Sequence, residues 1–347
     1  MNRPLGVGFV GAGLVTQAVH LPTLAVLRDR LRTVAVADID EAAATAVAAR
    51  CPGARTCTVD ELLQDPTVDV VVVSSPDHLH ASQVIAAIEA GKRGVLCEKP
   101  FATTANEARS IVDATAVHGV PIVVGAMHVY DPAWVAASTE WEQLTHEATL
   151  VRSTIYLPPN EEFTALATEQ PPAVEARSGQ PVAVAPPPTP ARMIRMGVLG
   201  LATHTVPHLR RFFHRPPRVA SARYVAPWGY HLVIEEDGKI GELLALVPGE
   251  WAPAWRFEAY APSAMLEISY PPSFVLAGSA TATVSITGGE SRSWRSTVNG
   301  YQREWQHLAD VIEGKVPLAH PVQEVADDLT FALGLADGAD QLLESHL

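Results

Sequence analysis

The 347-residue sequence is poor in cysteine, in basic charge and in long apolar runs, and each shortage excludes a class of protein. Its three cysteines are Cys51, Cys57 and Cys97. They are too few for a disulfide framework and lack the spacing of metal ligands, so we expect free thiols in a reducing compartment and no metal site.

Basic residues are outnumbered: 25 Lys and Arg stand against 38 Asp and Glu, which gives a net charge of -13. No cluster of Lys or Arg interrupts this balance, which argues against nucleic acid and anionic membranes as partners. The sequence has no apolar run of about 18 residues and no basic start followed by an apolar core. Neither a membrane span nor a signal peptide is predicted, and we expect a cytoplasmic protein.

The composition that remains is that of a globular protein, with 48% hydrophobic and 18% charged residues. At this length the chain is too long for one ordinary core. We therefore predict two domains.

A glycine turn stands near the start of the chain. The apolar run 5–10 leads into Gly11 and Gly13, and residues 17–27 then show a helical pattern. Strand, glycine turn and helix in this order are typical of a dinucleotide site, because Gly11 permits the tight turn and Gly13 lets a pyrophosphate approach the backbone. Thr16 occupies the position where a third glycine or alanine is expected.

An acidic residue ends the second predicted strand. Asp38 follows residues 33–37 and lies 25 residues beyond Gly13. Its carboxylate could accept hydrogen bonds from the adenosine ribose and would repel a 2'-phosphate, which favours NAD over NADP. The alternative is a turn or helix-capping role, for which Asp40 is better placed.

Two further strands end in polar segments. Residues 69–74 form the most continuous apolar run and lead into 75–76, and residues 95–97 lead into the segment 98–100, Glu-Lys-Pro. Because the residue before a proline avoids the α region, Lys99 is predicted to be extended at the tip of the sheet. Taken alone, such a lysine is more often a solvent-exposed residue of a loop between strand and helix.

Strands and helices alternate as far as residue 124, which predicts an α/β fold with a doubly wound parallel sheet and ligands at the carboxyl ends of its strands. Residues 157–192 are rich in proline and predict a long surface loop. From residue 219 the pattern alternates between apolar and polar residues, as in a sheet with one covered face, and helices are predicted at 301–312 and 321–344.

This sequence resembles the Gfo/Idh/MocA family of nicotinamide-dependent oxidoreductases, which act mainly on sugars, cyclitols and related polyols. The resemblance is carried, in order, by residues 11–13, Asp38, 75–80, 90–92 and 98–100. It covers the first 132 residues well and the remainder loosely.

The resemblance implies a Rossmann-like dinucleotide-binding domain at residues 1–127. It implies an α+β domain at residues 128–347 that binds substrate and carries a large, mainly antiparallel open sheet. In relatives the open face of that sheet commonly builds a homodimer or homotetramer. The loop at 157–192 would then close over a small-molecule substrate or mediate subunit contacts.

The resemblance also implies which residues bind NAD. They are Gly11, Ala12, Gly13, Leu14, Val15, Asp38, Ile39, Ser75, Pro76, His80, Glu98, Lys99 and His128. Lys99 is further implied to contact the reacting substrate oxygen, where an ammonium group stabilises a developing alkoxide, and Glu98 would hold it in place. His128 is equally open to a structural role, because apolar residues flank it.

The substrate side of the implied site is atypical. Its candidates are Lys99, His128, Tyr130, Asp131, His204 and His208. In the family a helix carries an aspartate and, four residues later, a histidine. His204 falls on the histidine and is the predicted general base, whereas Gly200 falls on the aspartate. Compensation from elsewhere, and the choice between a site role and a surface position for His208, stay open.

The resemblance predicts an NAD-dependent oxidoreductase in which Lys99 and His204 handle the hydroxyl or keto oxygen of a sugar, cyclitol or similar polyol. The glycine at position 200 leaves two alternatives. One is a redox-neutral enzyme that uses NAD transiently for elimination, epimerisation or glycoside cleavage. The other is a non-catalytic NAD-binding sensor or scaffold.

Overall fold

A computed structural model describes residues 3–158, 162, 164, 189–247 and 254–344. The chain divides into two compact units. The first comprises Met1–Tyr130 and Gly300–Thr330, and the second comprises Asp131–Asn299 and Phe331–Leu347. This division differs from the predicted boundary after residue 127, because a late helix packs into the core of the first unit.

The first unit contains a six-stranded parallel sheet. Its strands are β1 (Leu5–Val10), β2 (Leu31–Ala37), β3 (Arg55–Thr56), β4 (Val70–Val73), β5 (Gly94–Cys97) and β6 (Ile122–Val124). The spatial order β3-β2-β1-β4-β5-β6 reverses direction next to β1. The predicted doubly wound parallel sheet is confirmed, and its crevice lies where the order reverses.

Helices cover this sheet. They span Leu21–Val26, Glu41–Ala49, Val59–Gln64, His80–Glu89, Ala105–His118 and Gly300–Ile312. The helical pattern at residues 17–27 is divided in the structure: a π-helical turn, Thr16–His20, precedes the α-helical part. Asp40 takes the capping role expected of it, since its Oδ1 accepts hydrogen bonds from the N–H groups of Ala42 and Ala43.

The helix Gly300–Ile312 completes the core of the first unit. Trp305, Leu308 and Ala309 are fully buried with the apolar side chains of β1, β4 and β5. Gly94 makes room for this helix, because a Cβ at that position would lie 2.7 Å from Cδ1 of Ile312. A segment about 170 residues away in sequence therefore supplies part of the Rossmann core.

The second unit is built on an eight-stranded sheet. Its strands are β7 (Leu150–Tyr156), β8 (Arg218–Tyr224), β9 (Gly229–Glu236), β10 (Lys239–Leu246), β11 (Ala254–Tyr260), β12 (Ala264–Tyr270), β13 (Thr281–Ile286) and β14 (Ser291–Trp294). The order is β14-β13-β12-β11-β7-β10-β9-β8, and only the β7–β10 pair is parallel. The large, mainly antiparallel sheet that the resemblance implied is confirmed.

The helices of the second unit are short apart from the last one. They span Pro132–Ala137, Glu142–Glu147, Pro190–Gly200, Val206–Phe212 and, shared with the first unit, Val322–Glu344. None of the helices within the described ranges is long and apolar enough to cross a membrane.

The predicted proline-rich loop ends earlier than expected. Residues 190–192 already belong to the helix Pro190–Gly200, which Thr189 caps by accepting a hydrogen bond from the N–H of Arg192. Proline is well tolerated at this first helical position, because its missing N–H would have no partner there. Most of the predicted loop, residues 159–161, 163 and 165–188, lies outside the described residues.

Candidate active site

The carboxyl ends of β1 and β2 meet at the glycine turn. The N–H of Ala12 donates to Oδ2 of Asp38 at 2.7 Å, and the N–H of Asp40 donates to Oδ1 at 2.9 Å. Each carboxylate oxygen keeps a further lone pair. Asp38 therefore holds the turn to the end of β2 and retains acceptors for ribose hydroxyls, while its neighbour Ile39 is 90% exposed.

The two glycines of the turn have different reasons to be glycine. Gly11 has a φ of +108°, and a Cβ there would lie 2.5 Å from the carbonyl oxygen of Ser74. A Cβ at Gly13 would meet nothing within 4 Å. Gly11 thus lets the turn pass close to the end of β4, whereas the exposed Gly13 leaves open space beside the turn, which fits an approaching pyrophosphate. Leu14 and Val15 follow it, partly buried.

Thr16 stands where the motif has a third glycine or alanine, and its side chain makes contacts that those residues could not make. Its side chain is fully buried, and its hydroxyl donates to the carbonyl oxygen of Gly11 at 2.8 Å. The same hydroxyl lies 2.7 Å from that of Ser74. Thr16 therefore ties the first helical turn to the ends of β1 and β4, and the departure from the glycine pattern does not weaken the turn.

Lys99 follows the end of β5, as predicted, and its peptide bond to Pro100 is cis. Its N–H donates to Oε2 of Glu98 at 3.3 Å. Burial lowers the pKa of the Lys99 ammonium, although the charges of Glu98 and Asp77 oppose this shift. The site therefore holds a partly buried lysine that loses its proton more readily than a surface lysine.

Glu98 is supported from behind by two residues that the sequence analysis did not identify. Nε2 of His20 lies 3.2 Å from Oε1 of Glu98, and Nε1–H of Trp305 donates to Nδ1 of His20 at 3.2 Å. Because Nδ1 accepts, a ring with a single proton carries it on Nε2, the nitrogen nearer to Glu98. Burial alone would raise the pKa of Glu98, but the His20 hydrogen bond and the Lys99 charge lower it.

A second carboxyl group lies in the same region. Glu304 is 1% exposed, and its Oε2 has no hydrogen-bond partner among the described residues. Burial, reinforced by the charge of Glu98, raises the pKa of Glu304 well above its usual range. Of these two buried carboxyl groups, Glu98 is therefore charged and Glu304 is a neutral acid at neutral pH.

His80 is placed beside Lys99 but is not open to a ligand. It is 2% exposed; its Nε2 lies 2.7 Å from the carbonyl oxygen of Ser75 and its Nδ1 lies 2.8 Å from that of Pro100. Both ring nitrogens are engaged by the backbone. His80 links two loops in the structure, its contact with the cofactor stays a prediction, and the neighbouring Pro76 is exposed.

His128 and Tyr130 are both buried, and they lie at the end of Met1–Tyr130, the first of the two segments that form the first unit. Burial lowers the pKa of His128 to about 3, which keeps its imidazole neutral at physiological pH. The Tyr130 ring lies 5.5 Å from the ring of His307 and 5.3 Å from that of His320. The structure gives both residues the surroundings of packed core side chains.

In the second unit, Asp131 and His208 also make structural contacts. One carboxylate oxygen of Asp131 accepts from the N–H of Ala133, and the other accepts from the N–H of Ala280 at 2.8 Å. His208 is completely buried and its Nε2 lies 2.5 Å from the hydroxyl of Tyr270. His208 is therefore a core residue and not the surface histidine that was considered.

His204 does not share an unbroken helix with position 200. The helix Pro190–Gly200 ends, a 3₁₀ turn spans Ala202–His204, and Val206 then begins a second helix with Pro207 in its first turn. His204 is 5% exposed, and its ring meets Trp255 edge to face with 5.2 Å between centroids. A Cβ at Gly200 would meet nothing within 4 Å, so packing does not exclude a side chain there.

A known protein family matches most of the first segment of the first unit. Residues 5–126 match the family described as "Oxidoreductase family, NAD-binding Rossmann fold", GFO_IDH_MocA. This confirms the resemblance for that part of the chain, and the open space at Gly13 with the acceptors of Asp38 fits its description as NAD-binding.

Curated relatives resemble this chain over a limited length. Inositol 2-dehydrogenase 2 of Saccharopolyspora erythraea is 40% identical over 133 residues, which is 38% of this chain and 39% of the relative. Inositol 2-dehydrogenase of Acidothermus cellulolyticus is 39% identical over 141 residues, 40% of this chain and 41% of the relative. The match thus spans about two fifths of each relative.

Solved structures extend the similarity of fold to nearly the whole chain. GenD2 from gentamicin A biosynthesis, crystallised in complex with NAD, superposes with a TM-score of 0.72 at 21% identity, over 98% of this chain and 95% of its own. At this identity the likeness shows that the two proteins share the fold of the Gfo/Idh/MocA oxidoreductases, and no more.

His20, Trp305 and Glu304 were missed because no local pattern marks them. His20 lies among apolar residues of a short helical segment, where a lone histidine is usually a core residue. A signal was nevertheless present: a histidine on the buried face of the helix after a glycine turn needs a polar partner.

Among the described residues, no group of three His, Cys, Asp or Glu side chains forms a metal site.

Proposed function

We propose that this protein is an NAD-dependent oxidoreductase that transfers a hydride between nicotinamide and a hydroxyl or keto carbon of a sugar, cyclitol or similar small polyol. The observation that carries the proposal is Lys99, placed by a buried Glu98 at the carboxyl end of β5 in a Gfo/Idh/MocA domain. The similarity to two inositol 2-dehydrogenases supports a cyclitol as the first substrate to test.

Asp38, Ile39 and the glycine turn would hold the adenosine end of NAD. The carboxylate of Asp38 favours NAD over NADP, because it offers acceptors to ribose hydroxyls and repels a 2'-phosphate. Bound NAD would supply the hydride acceptor. The space beside Gly13 receives the pyrophosphate in this proposal.

Lys99 acts on the substrate oxygen. As the carbinol carbon gives up its hydride, the oxygen must lose its proton, and an adjacent ammonium stabilises the negative charge that develops. The lowered pKa of Lys99 also brings proton transfer by this group closer to neutral pH. His204 is the proposed general base, because imidazole titrates near neutrality.

The glycine at position 200 favours a second candidate. Without an aspartate there, the chain departs from the pattern that the resemblance implies, and transient oxidation followed by elimination, epimerisation or glycoside cleavage is the second candidate. Product analysis with substoichiometric NAD separates the two. A redox-neutral enzyme converts its substrate without accumulating NADH.

The first experiment is titration of the protein with NADH, monitored by nicotinamide fluorescence, with NADPH as the comparison. We expect saturable binding and a weaker affinity for NADPH. Absence of binding by either nucleotide would refute the proposal, and tighter binding of NADPH would refute the role given to Asp38.

Turnover is then tested with a panel of inositols, sugars and their keto forms at 340 nm. We expect Lys99→Ala to lower kcat by about 100-fold or more while NADH still binds, because the main loss is transition-state stabilisation. Lys315→Ala is the matched control, since Lys315 lies on the surface and pairs with Glu313. Equal activity of the two variants would contradict a catalytic Lys99, and NADH binding without any turnover would favour a sensor.

We also propose that the protein is a homo-oligomer that associates through the open face of the eight-stranded sheet. This face carries Arg152, Glu242 and His231, with Arg152 Nε donating to Glu242 at 2.7 Å and His231 Nε2 3.0 Å from the same carboxylate. Light scattering should give the mass of a dimer or tetramer, and Glu242→Arg should lower that mass toward the monomer.

A cytoplasmic location stays a prediction.

A further inference from the structure

His80 occupies a buried position between the loops that follow β4 and β5. It begins the helix His80–Glu89, and its ring lies between the carbonyl oxygens of Ser75 and Pro100, at 2.7 Å from Nε2 and 2.8 Å from Nδ1. We call this arrangement the His80 bridge. The residue directly before Pro100 is Lys99, so the bridge fixes the backbone that carries the proposed catalytic lysine.

The two partners of the ring determine its protonation state. A carbonyl oxygen only accepts hydrogen bonds, so each ring nitrogen must donate. Neutral imidazole has one N–H and would place a nitrogen lone pair against an oxygen lone pair at the other contact. Only the imidazolium form satisfies both contacts, and burial makes an unsatisfied contact costly.

We propose that His80 is a doubly protonated positioning residue, whose imidazolium links the Ser75 and Pro100 loops and thereby orients Lys99 for catalysis. This inference rests on the proposed function only in its last step, the role of Lys99. The charge on His80 is a property of the bridge itself.

Charged groups near the bridge are of both signs. Asp77 and Glu98 bear carboxylates whose charges act on the Lys99 ammonium, the residue next to the bridge. Strands β4 and β5 contribute no charged side chain. At the start of the helix Ala105–His118, the carboxylate of Glu107 is already bonded to Thr103 and Thr104.

The proton on the bridge is tested directly by nitrogen NMR on the full-length protein labelled with ¹⁵N-histidine, with His80→Gln used to assign the signal. At pH 7.5 we expect both His80 ring nitrogens at protonated shifts, with and without NAD. A neutral ring with one protonated nitrogen would overturn the proposal. This measurement needs no substrate, so it tests the protonation state of His80 even if the proposed oxidoreductase activity is absent.

Kinetics test the positioning role. Glutamine cannot donate to two carbonyls on opposite sides, so we expect His80→Gln to lower kcat about 10- to 100-fold with NADH affinity changed by less than about threefold, as for a misplaced catalytic group. His78→Gln is the matched control, because His78 lies in the same turn with its side chain 68% exposed. It should leave kcat within twofold of wild type.

The pH profile provides a readout that a merely structural residue would not change. In the wild type, loss of the bridge proton should add an alkaline decline in kcat to the one caused by Lys99, and this added decline should be missing from the lower profile of His80→Gln. If His80→Gln retains wild-type kcat, or if its profile keeps the same alkaline decline, the positioning role is refuted. If wild type shows no turnover while the imidazolium is observed, the proposed function fails and the His80 bridge stands.

Discussion

Glu98 and Glu304 are buried in the same region with opposite charge states. Glu98 is stabilised as a carboxylate by His20 and Lys99, whereas Glu304 has an oxygen without a partner among the described residues. Two unpaired negative charges in a buried region repel strongly, and the proton on Glu304 removes one of them. The single remaining carboxylate is the one that faces the lysine.

We expect Glu304→Gln to stabilise the protein at neutral and alkaline pH. A carboxyl group with a raised pKa binds a proton in the folded state that the unfolded chain has released, so its contribution is complete below about pH 4 and is lost as pH rises toward the folded pKa. Glutamine does not titrate. Urea unfolding should show a gain of about 1–3 kcal/mol at pH 8 that disappears at pH 4.

The same gain at both pH values would show that Glu304 does not carry the proton. A loss of stability at pH 8 would show that the Glu304 carboxylate makes a favourable contact in the folded state. Either result would contradict the charge states assigned to the pair.

At the scale of elements, the helix Gly300–Ile312 both packs on the sheet and supports the site. Trp305 fills the core and donates its indole N–H to His20, whose Nε2 lies 3.2 Å from Oε1 of Glu98. Trp305→Phe keeps most of the apolar contact but removes the donor. We expect a loss of about 2 kcal/mol in unfolding free energy, of which about half is the hydrogen bond.

Trp141→Phe is the matched control for this change. Trp141 is also buried, but its Nε1 has no hydrogen-bond partner among the described residues. The control should therefore cost less than Trp305→Phe in urea unfolding, since it also removes an unsatisfied donor. If the two variants lose equal stability, the Trp305–His20 bond contributes nothing measurable.

The helix Pro190–Gly200 offers a test of the missing acid. Because a Cβ at Gly200 meets nothing within 4 Å, Gly200→Asp should fold, with a cost of about 0.5 kcal/mol for a negative charge at a helix C-terminus. If a carboxylate at position 200 supports His204 as the general base, the new aspartate should raise kcat/KM for polyol oxidation several-fold. Gly200→Asn, equal in size but uncharged, is the control.

An unchanged or lower kcat/KM in Gly200→Asp, matched by the asparagine variant, would contradict the need for a carboxylate. An unchanged kcat/KM would also have a structural reason. The helix ends at position 200 and His204 lies in a separate 3₁₀ turn, so the spacing of four residues does not place the two positions on one helical face.

Local patterns account for what the sequence could predict. The order of β1, glycine turn and helix, the place of Asp38 and the end of β5 before Lys99 are each encoded by residues adjacent in the chain, and the structure has them as expected. The Trp305–His20 contact joins residues 285 positions apart, and nothing in either local segment specifies the other. Likewise, the burial of His80 and His208 depends on distant packing partners that the local sequence does not specify, and their site roles stay predictions.

At the scale of the whole molecule, the first unit is discontinuous in sequence. We expect residues 1–130 alone to be unfolded or molten, because they lack the buried Trp305 and Leu308, each worth about 3–5 kcal/mol. Joining residues 1–130 to 300–330 through a flexible linker should restore cooperative thermal unfolding. The two polypeptides are compared by calorimetry and NADH titration. Cooperative unfolding of residues 1–130 alone would contradict this role of the helix.

The late position of that helix has a consequence for how the protein is made. On the ribosome, the six strands of the parallel sheet emerge first, and the helix Gly300–Ile312 follows only after the intervening 131–299 segment. At typical synthesis rates this delay is about 10 to 30 seconds. During that interval the face of β5 that Leu308 will cover is exposed to chaperones and to other nascent chains, and the support behind Glu98 is absent. The newborn polypeptide thus completes the core of the first unit only after residue 312 has been synthesised.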